Sequence, residues 1–240
     1  MSRMAHIAVA LAVACTAAAD AQVPGGLLFH ASFDRTLDAD FAAGCPVARG
    51  QATLTRDGGG RAGEALIARL DFPGAQPFLA PWYLTAGNIH RDAGTIELWV
   101  KPLPDLLDDP EHRRIIFHSW IERTRKTNPR VFRIDTYHGR LRIFEQEVGE
   151  DYSSHIQIPL DDWREGRWHH IAYTWMNGER VAYVDGVEKG RASPGRGLPH
   201  LGDFFRIGAG NWATQPAHCL IDEVRIWDHP LSPGEMGWTE

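Results

Sequence analysis

Three dipeptides decide most of what this chain can fold into. His138-Gly139, Asn177-Gly178 and Asp185-Gly186 each stand between two short apolar runs. Asn-Gly and Asp-Gly tolerate the positive φ angles of a two-residue hairpin turn, so each site predicts two antiparallel strands joined directly. Two of these turns bracket Glu179 to Val184. The stretch from Trp168 to Lys189 is therefore expected to be a continuous antiparallel meander, because a parallel crossover needs a far longer connection.

The same pattern of short apolar or alternating runs closed by Gly, Pro, Asp or Asn extends along the chain. It predicts strands at Leu27 to Phe33, Glu64 to Leu70, Gly94 to Lys101, Arg114 to Trp120, Val131 to Tyr137 and Leu141 to Glu147. Further strands are expected at His155 to Ile158, Trp168 to Trp175, Glu179 to Val184, Phe204 to Gly208 and Ile221 to Trp227. Longer breaks at Pro102 to Glu111, Glu122 to Pro129, Pro159 to Arg167 and Ala192 to Gly202 read as surface loops. Only Ser232-Pro233-Gly234-Glu235-Met236 resembles a helix start, with Ser as cap and Glu three residues on. Many strands and no long amphipathic helix predict an all-β, two-sheet antiparallel sandwich.

The first residues read as an export signal. Arg3 supplies a positive start, Ile7 to Ala14 is apolar, and Ala19-Asp20-Ala21 offers a small-x-small cleavage site. The expected organisation is a signal peptide at 1–21 and a single domain at 22–240, in a secreted or periplasmic protein. Cys15, after Ala12-Val13-Ala14, leaves a lipid anchor as the alternative. The apolar run falls short of the ~20 residues a bilayer requires, so no membrane span is expected. Basic residues number 25 against 31 acidic ones, a net charge of −6, and they are scattered apart from Arg123-Thr124-Arg125-Lys126. That excludes a nucleic-acid partner. Without the signal, two cysteines remain, Cys45 and Cys219.

Four blocks carry a resemblance to a known family. They are Gly94-Thr95-Ile96-Glu97-Leu98-Trp99-Val100-Lys101-Pro102, Gly166-Arg167-Trp168-His169-His170-Ile171-Ala172-Tyr173-Thr174-Trp175, Val181-Ala182-Tyr183-Val184-Asp185-Gly186, and Ile221-Asp222-Glu223-Val224-Arg225-Ile226-Trp227 with Leu231-Ser232 behind it. In this order they resemble the laminin G-like domains of the concanavalin A-like lectin/glucanase superfamily, over roughly Leu27 to Met236. The resemblance implies a jelly roll whose first and last strands lie side by side. That neighbourhood would bring Cys45 and Cys219 together as a disulfide in an oxidising compartment. It also implies one structural calcium, with Asp34 and Asp222 at the family's acidic positions and Asp38 and Asp40 nearby. Acidic turn residues commonly cap backbone amides instead.

The fold hosts lectins, adhesion modules, hydrolases, lyases and spacers, so function has to come from a site. Glu145 and Glu147 share a face of one strand, but the Glu, Asp, Glu signature of the superfamily's hydrolases is missing. A lyase would need a base with Arg to neutralise a uronate on one sheet face. Arg133, Asp135 and Tyr137 alternate onto one face, Arg140 and Arg142 share a face of the next strand, and His118 with Trp120 face the same groove. A sugar-binding module needs only aromatic platforms and a few planar hydrogen-bonding groups. Trp82, Tyr83, Trp120, Tyr137, Tyr152 and Trp212 stand where such platforms are placed, whereas Trp99, Trp168, Trp175 and Trp227 read as core. The expected function is a non-catalytic recognition module for a glycan or an extracellular protein. Its expected ligand-binding residues are Trp120, Arg133, Asp135, Tyr137 and Arg142. A polysaccharide-degrading enzyme and a structural interaction domain are the alternatives. His169 and His170 point to opposite faces of a strand, which argues against a transition metal.

Overall fold

All three hairpin turns form, in the conformation their sequences demand. His138 and Gly139 have φ of 51° and 67°, Asn177 and Gly178 51° and 83°, Asp185 and Gly186 51° and 72°. Two successive positive φ angles define the type I′ turn, whose twist matches that of paired strands. The structure is a computed structural model and describes residues 25–56, 58–69, 80–121, 130–147, 153–210 and 215–238, without the side chains of residues 105, 120, 121 and 153–155. The expected signal segment 1–21, Cys15, Tyr152 and Trp212 lie outside the described residues.

The elements in chain order are β1 (Leu27–Ala31), β2 (Phe41–Ala42), β3 (Thr53–Leu54), β4 (Leu66–Ala68), β5 (Trp82–Leu84), β6 (Ala93–Pro102), α1 (Pro104–Asp108), β7 (Arg114–Ile121), β8 (Arg130–Tyr137), β9 (Arg140–Gln146), β10 (Ser153–Pro159), β11 (His169–Met176), β12 (Glu179–Val184), β13 (Val187–Ala192), β14 (Phe204–Ile207) and β15 (Cys219–Trp227). They make two antiparallel sheets. One runs β13-β12-β11-β6-β15-β1-β2, with β4 also on β15 and β3 on β4, and the other runs β10-β9-β8-β7-β14-β5. The first and last strands do pair, Ala31 opposite Val224 and His30 opposite Arg225. The fold is all-β with two antiparallel sheets, as the turns and strand spacing predict, and it is the jelly-roll sandwich that the family resemblance implies.

Between the sheets lies an aromatic core drawn from both layers. Phe29 of β1 meets Tyr83 of β5 edge-on at 4.9 Å, and Phe132 of β8 stacks on Tyr173 of β11 at 5.8 Å. Ile171, Tyr173 and Trp175 are the inward residues of β11, at or below 1% exposure. Burying this apolar surface is the main driving force for pairing the layers. One polar cluster crosses the same interior. Glu145 of β9 accepts hydrogen bonds from the Tyr173 hydroxyl at 2.5 Å, from Arg180 Nε of β12 at 2.8 Å and from Arg196 Nη1 at 3.0 Å.

The outer face of the nine-stranded sheet is covered by the chain's own C-terminal segment. Leu231 and Met236 pack on Ala172, with Tyr183, Trp227 and Trp238 around them. Beneath that cover Glu97 accepts from His170 Nε2, Trp227 Nε1 and the Gly237 amide at 2.9 to 3.1 Å. This explains why β15 is apolar on both faces. Ser232 and Glu235 make the expected cap bonds, Ser232 N and Oγ donating to Glu235 Oε2, but they close a turn and not a helix. The short helix α1 stands instead inside the Pro102 to Glu111 loop.

The Cys45–Cys219 disulfide does not form. Cys219 is a free, fully buried thiol at the start of β15, opposite Pro102 and Ala68. Cys45 follows β2, where Ala42 lies opposite Phe29 and Phe29 opposite Ile226, near the far end of β15. Seven residues of strand separate Ile226 from Cys219, about 20 Å at the rise of an extended chain, whereas a disulfide needs Cα atoms within about 7 Å. Neighbouring first and last strands do not suffice, because the cysteines belong to opposite ends of them.

Candidate functional site

Along β8, Phe132 and Ile134 turn into the core, so Arg133, Asp135 and Tyr137 face outward from the six-stranded sheet. On β9, Leu141 and Ile143 turn inward and Arg142 and Phe144 outward. The register then sets Arg142 directly opposite Asp135 and Phe144 opposite Arg133. Asp135 is fully buried and holds Arg142 through two bonds, Nε to Oδ1 at 2.7 Å and Nη2 to Oδ2 at 2.9 Å. Arg133 Nε reaches Oδ2 at 2.5 Å and Arg113 Nε at 3.6 Å. Three guanidiniums therefore converge on one carboxylate.

The same register draws a row across five strands. Trp82 of β5 lies opposite Arg206 of β14, Arg206 opposite His118 of β7, His118 opposite Arg133, and Arg133 opposite Phe144. The row is cationic in the middle and aromatic at both ends. Arg133 lies over the Phe144 ring at 4.1 Å, and Arg49 over Trp82 at 5.2 Å. Burial, then the charges of Arg133, Arg206 and Arg113, push the His118 pKa down to about 3. Burial also lowers that of Arg206. His118 is thus neutral at any ordinary pH, a hydrogen-bonding group and a weak base.

Four of the five expected ligand-binding residues are brought together here. Arg133, Asp135, Tyr137 and Arg142 share the face; Trp120 is placed on it only by its backbone, opposite Val131, and its side chain lies outside the described residues. Tyr137 is not an open platform. Arg142 and Arg113 stand 4.7 and 5.1 Å from its ring centre and the His138 ring 3.7 Å away, so the ring organises guanidiniums. Tyr83 is core, fully buried, and donates its hydroxyl to the Leu37 carbonyl. Sequence reasoning missed Arg113 and Arg206. Only the register of β14 on β7 places Arg206 in the row, and these strands are far apart in the chain.

The remaining acidic residues do other work. Glu145 points into the core, both carboxylate oxygens held by arginines, while Glu147 pairs with Arg130 and accepts from the His200 amide. They form no catalytic carboxylate pair. Asp34 and Asp222 do converge on one feature, the turn at 60–64, but through its backbone. Asp34 Oδ1 accepts from the Glu64 amide at 2.7 Å, and Asp222 Oδ2 from the amides of Arg61 and Ala62 at 2.6 and 3.2 Å. Asp222 Oδ1 accepts from the Glu223 amide. Burial raises the Asp222 pKa to about 7 against the pull of these donors. Among the described residues no group of three or more His, Cys, Asp or Glu is placed to hold a metal. Asp34 Oδ1 and both Asp222 oxygens thus serve as backbone caps, the role acidic turn residues commonly take.

Two kinds of relatives bear on this geometry. Neuronal pentraxin-1 of Rattus norvegicus is 34% identical over 83 residues, covering 30% of this chain and 19% of that protein, and the Homo sapiens protein matches equally. The chain thus spans about a fifth of the curated relatives it matches. Among solved structures, domain 4 of AbnA, a GH43 extracellular arabinanase from Geobacillus stearothermophilus in complex with arabinotriose, superposes with a TM-score of 0.63 at 20% identity. It covers 88% of this chain and 97% of that domain. The botulinum neurotoxin serotype D binding domain superposes at 0.64 with 14% identity, over 88% of this chain and half of that one. The serotype D ligand-binding domain in complex with N-acetylneuraminic acid does so at 0.63 with 13% identity, over 88% of this chain and 49% of that one. These likenesses establish the sandwich. The laminin G-type family model matches residues 81–236, well over half the chain and all four sequence blocks in full, so this chain belongs to the concanavalin A-like lectin/glucanases superfamily.

Proposed function

We propose that the chain is an exported, non-catalytic recognition module that binds a glycan on the outer face of its six-stranded sheet and favours sugars bearing a carboxylate. The observation that carries this is the convergence of Arg113, Arg133 and Arg142 on Asp135 beside Tyr137. Guanidinium forks match carboxylates in two-point geometry, and Asp135 aligns them before a ligand arrives. Pre-set donors lose less freedom on binding. The likeness to domains solved with arabinotriose and with N-acetylneuraminic acid makes sugars the natural ligand class.

The chemistry of His118 favours binding over catalysis. A general base works best with a pKa near the working pH, and an imidazole held near 3 is a poor one. Purified protein should bind uronate or sialylated oligosaccharides on an array, and Tyr137→Ala and Arg113→Ala should each weaken binding with the melting temperature lowered by no more than a few degrees. Binding that survives both changes rejects this face. Release of unsaturated products from any polysaccharide in a parallel incubation would make the protein an enzyme. Export is tested separately, by sequencing the N-terminus of protein recovered outside the cytoplasm, where cleavage after Ala21 is expected.

A further inference from the structure

A second polar-aromatic hollow opens on the opposite layer. Along β6, Ile96, Leu98 and Val100 turn into the core, so Trp99 and Lys101 lie on the outer face of the nine-stranded sheet. Trp168, just ahead of β11, and Trp238, from the C-terminal segment, stand beside Trp99. With Arg61, Arg167 and Asp185 these three indoles enclose a pocket of about 270 Å³. That is the room of about nine water molecules in the liquid.

Each wall is built. Arg61 enters because Asp222 holds its backbone amide, and its guanidinium lies 4.7 Å from the centre of the Trp99 ring. Lys101 Nζ lies 4.9 Å from the Trp168 ring. Trp238 rests on the turn at Gly186, where an added Cβ would fall 2.4 Å from the indole, so only glycine admits it. Asp185 is fixed by His169 Nδ1 at 2.9 Å and by the His170 amide at 2.8 Å. Arg167 is exposed and its guanidinium makes no hydrogen bond among the described residues, while its charge acts on Asp185 across the pocket.

Arg61 already lies over Trp99, which argues against a cationic guest. Of the charged residues lining the pocket Arg61 and Arg167 outnumber Asp185, which argues for an anionic one. Indole surfaces receive the flat apolar faces of sugar rings, and an exposed guanidinium receives a carboxylate. We propose that this pocket is a second, independent binding site, taking one acidic sugar ring against Trp168 and Trp238 with its carboxylate on Arg167. The two sites lie on opposite layers, so one chain would bridge two glycan strands.

Isothermal titration with tri-galacturonate tests the pocket. Two sites per chain are expected. Arg167→Glu and Trp168→Ala should each remove one of them with the melting temperature unchanged, and the fully methyl-esterified trimer should bind this site at least about tenfold more weakly. Arg167 is on the surface, so its reversal tests the charge without touching the fold. A single site that survives Arg167→Glu, no binding at all, or two sites persisting in both variants overturns the proposal. A single site in the parent that Arg167→Glu removes would count against the other face and leave this one standing.

Discussion

Glu145 joins the two layers by charge, and removing that charge should loosen the whole sandwich. Its oxygens take hydrogen bonds from Tyr173, Arg180 and Arg196, and both Glu145 and Arg180 are fully buried. Glu145→Ala leaves the Arg180 guanidinium charged inside the protein with only the carbonyls of Glu179 and Arg196 to accept from it. Stranding one partner of a buried ion pair costs about 3 to 5 kcal/mol. A domain this size is held by about 5 to 15 kcal/mol, and each kcal/mol moves the melting temperature by about 2 to 4 °C, so a fall on the order of 10 °C is expected. Urea denaturation of the parent, of Glu145→Ala and of Glu145→Leu with Arg180→Met separates the causes. The double variant removes both charges and should recover much of the loss, since apolar replacement of a buried pair is often close to neutral. A loss below about 1 kcal/mol in the single variant, or a double variant no better than the single, would refute the account.

Three other measurements follow from buried groups. His118, held low, contributes stability that is present above its ordinary pKa of 6.5 and lost as pH falls toward 3, whereas Asp222, raised, contributes stability present below 3.8 and lost as pH rises toward 7. The two slopes oppose, each at most about 1.4 kcal/mol per pH unit. Between pH 4 and 6.5, His118→Asn should make stability fall more steeply with rising pH than in the parent, and Asp222→Asn should do the reverse; parallel curves would disprove the assignment. Cys219 is fully buried with its thiol pKa pushed up by desolvation, so maleimide followed by peptide mass mapping should modify it only after denaturation, and native labelling would contradict its place in the core. Asp34 and Asp222 cap amides, so the melting temperature should be the same in EDTA as in millimolar calcium, and a rise with calcium of more than a few degrees would restore the ion at that turn.

What could be read from the sequence follows from the range of the interaction that decides it. The meander from Trp168 to Lys189 was legible because Asn177-Gly178 and Asp185-Gly186 fix turn and register within a few residues. Strands β2, β3 and β5 were not, since two or three residues carry no period and their pairing comes from distant partners. The outward set Arg133, Asp135 and Tyr137 was legible from alternation alone. Arg206 was not, because its place beside His118 depends on a register between strands separated by most of the second half of the chain. Trp99 and Trp168 illustrate a subtler failure. Strand membership correctly marked Trp99 as buried, yet a buried indole still wall-lines a pocket when neighbouring segments leave its rim open.

Net charge misleads for the same reason. The chain carries six more acidic than basic residues, which points away from anionic ligands if charge is read as a sum. Several of the acids, however, are turned inward or onto backbone: Glu145 onto Arg180, Glu97 onto His170 and an amide, Asp222 and Asp34 onto the turn at 60–64, Asp135 beneath its arginines. A carboxylate held this way acts as structure, its field screened by the donors around it. Arg167 is left exposed outside the nine-stranded sheet, and Arg113 half-exposed at the edge of the arginine cluster on the other layer. Local potential decides what a face attracts, and here it is set by which charges the fold consumes.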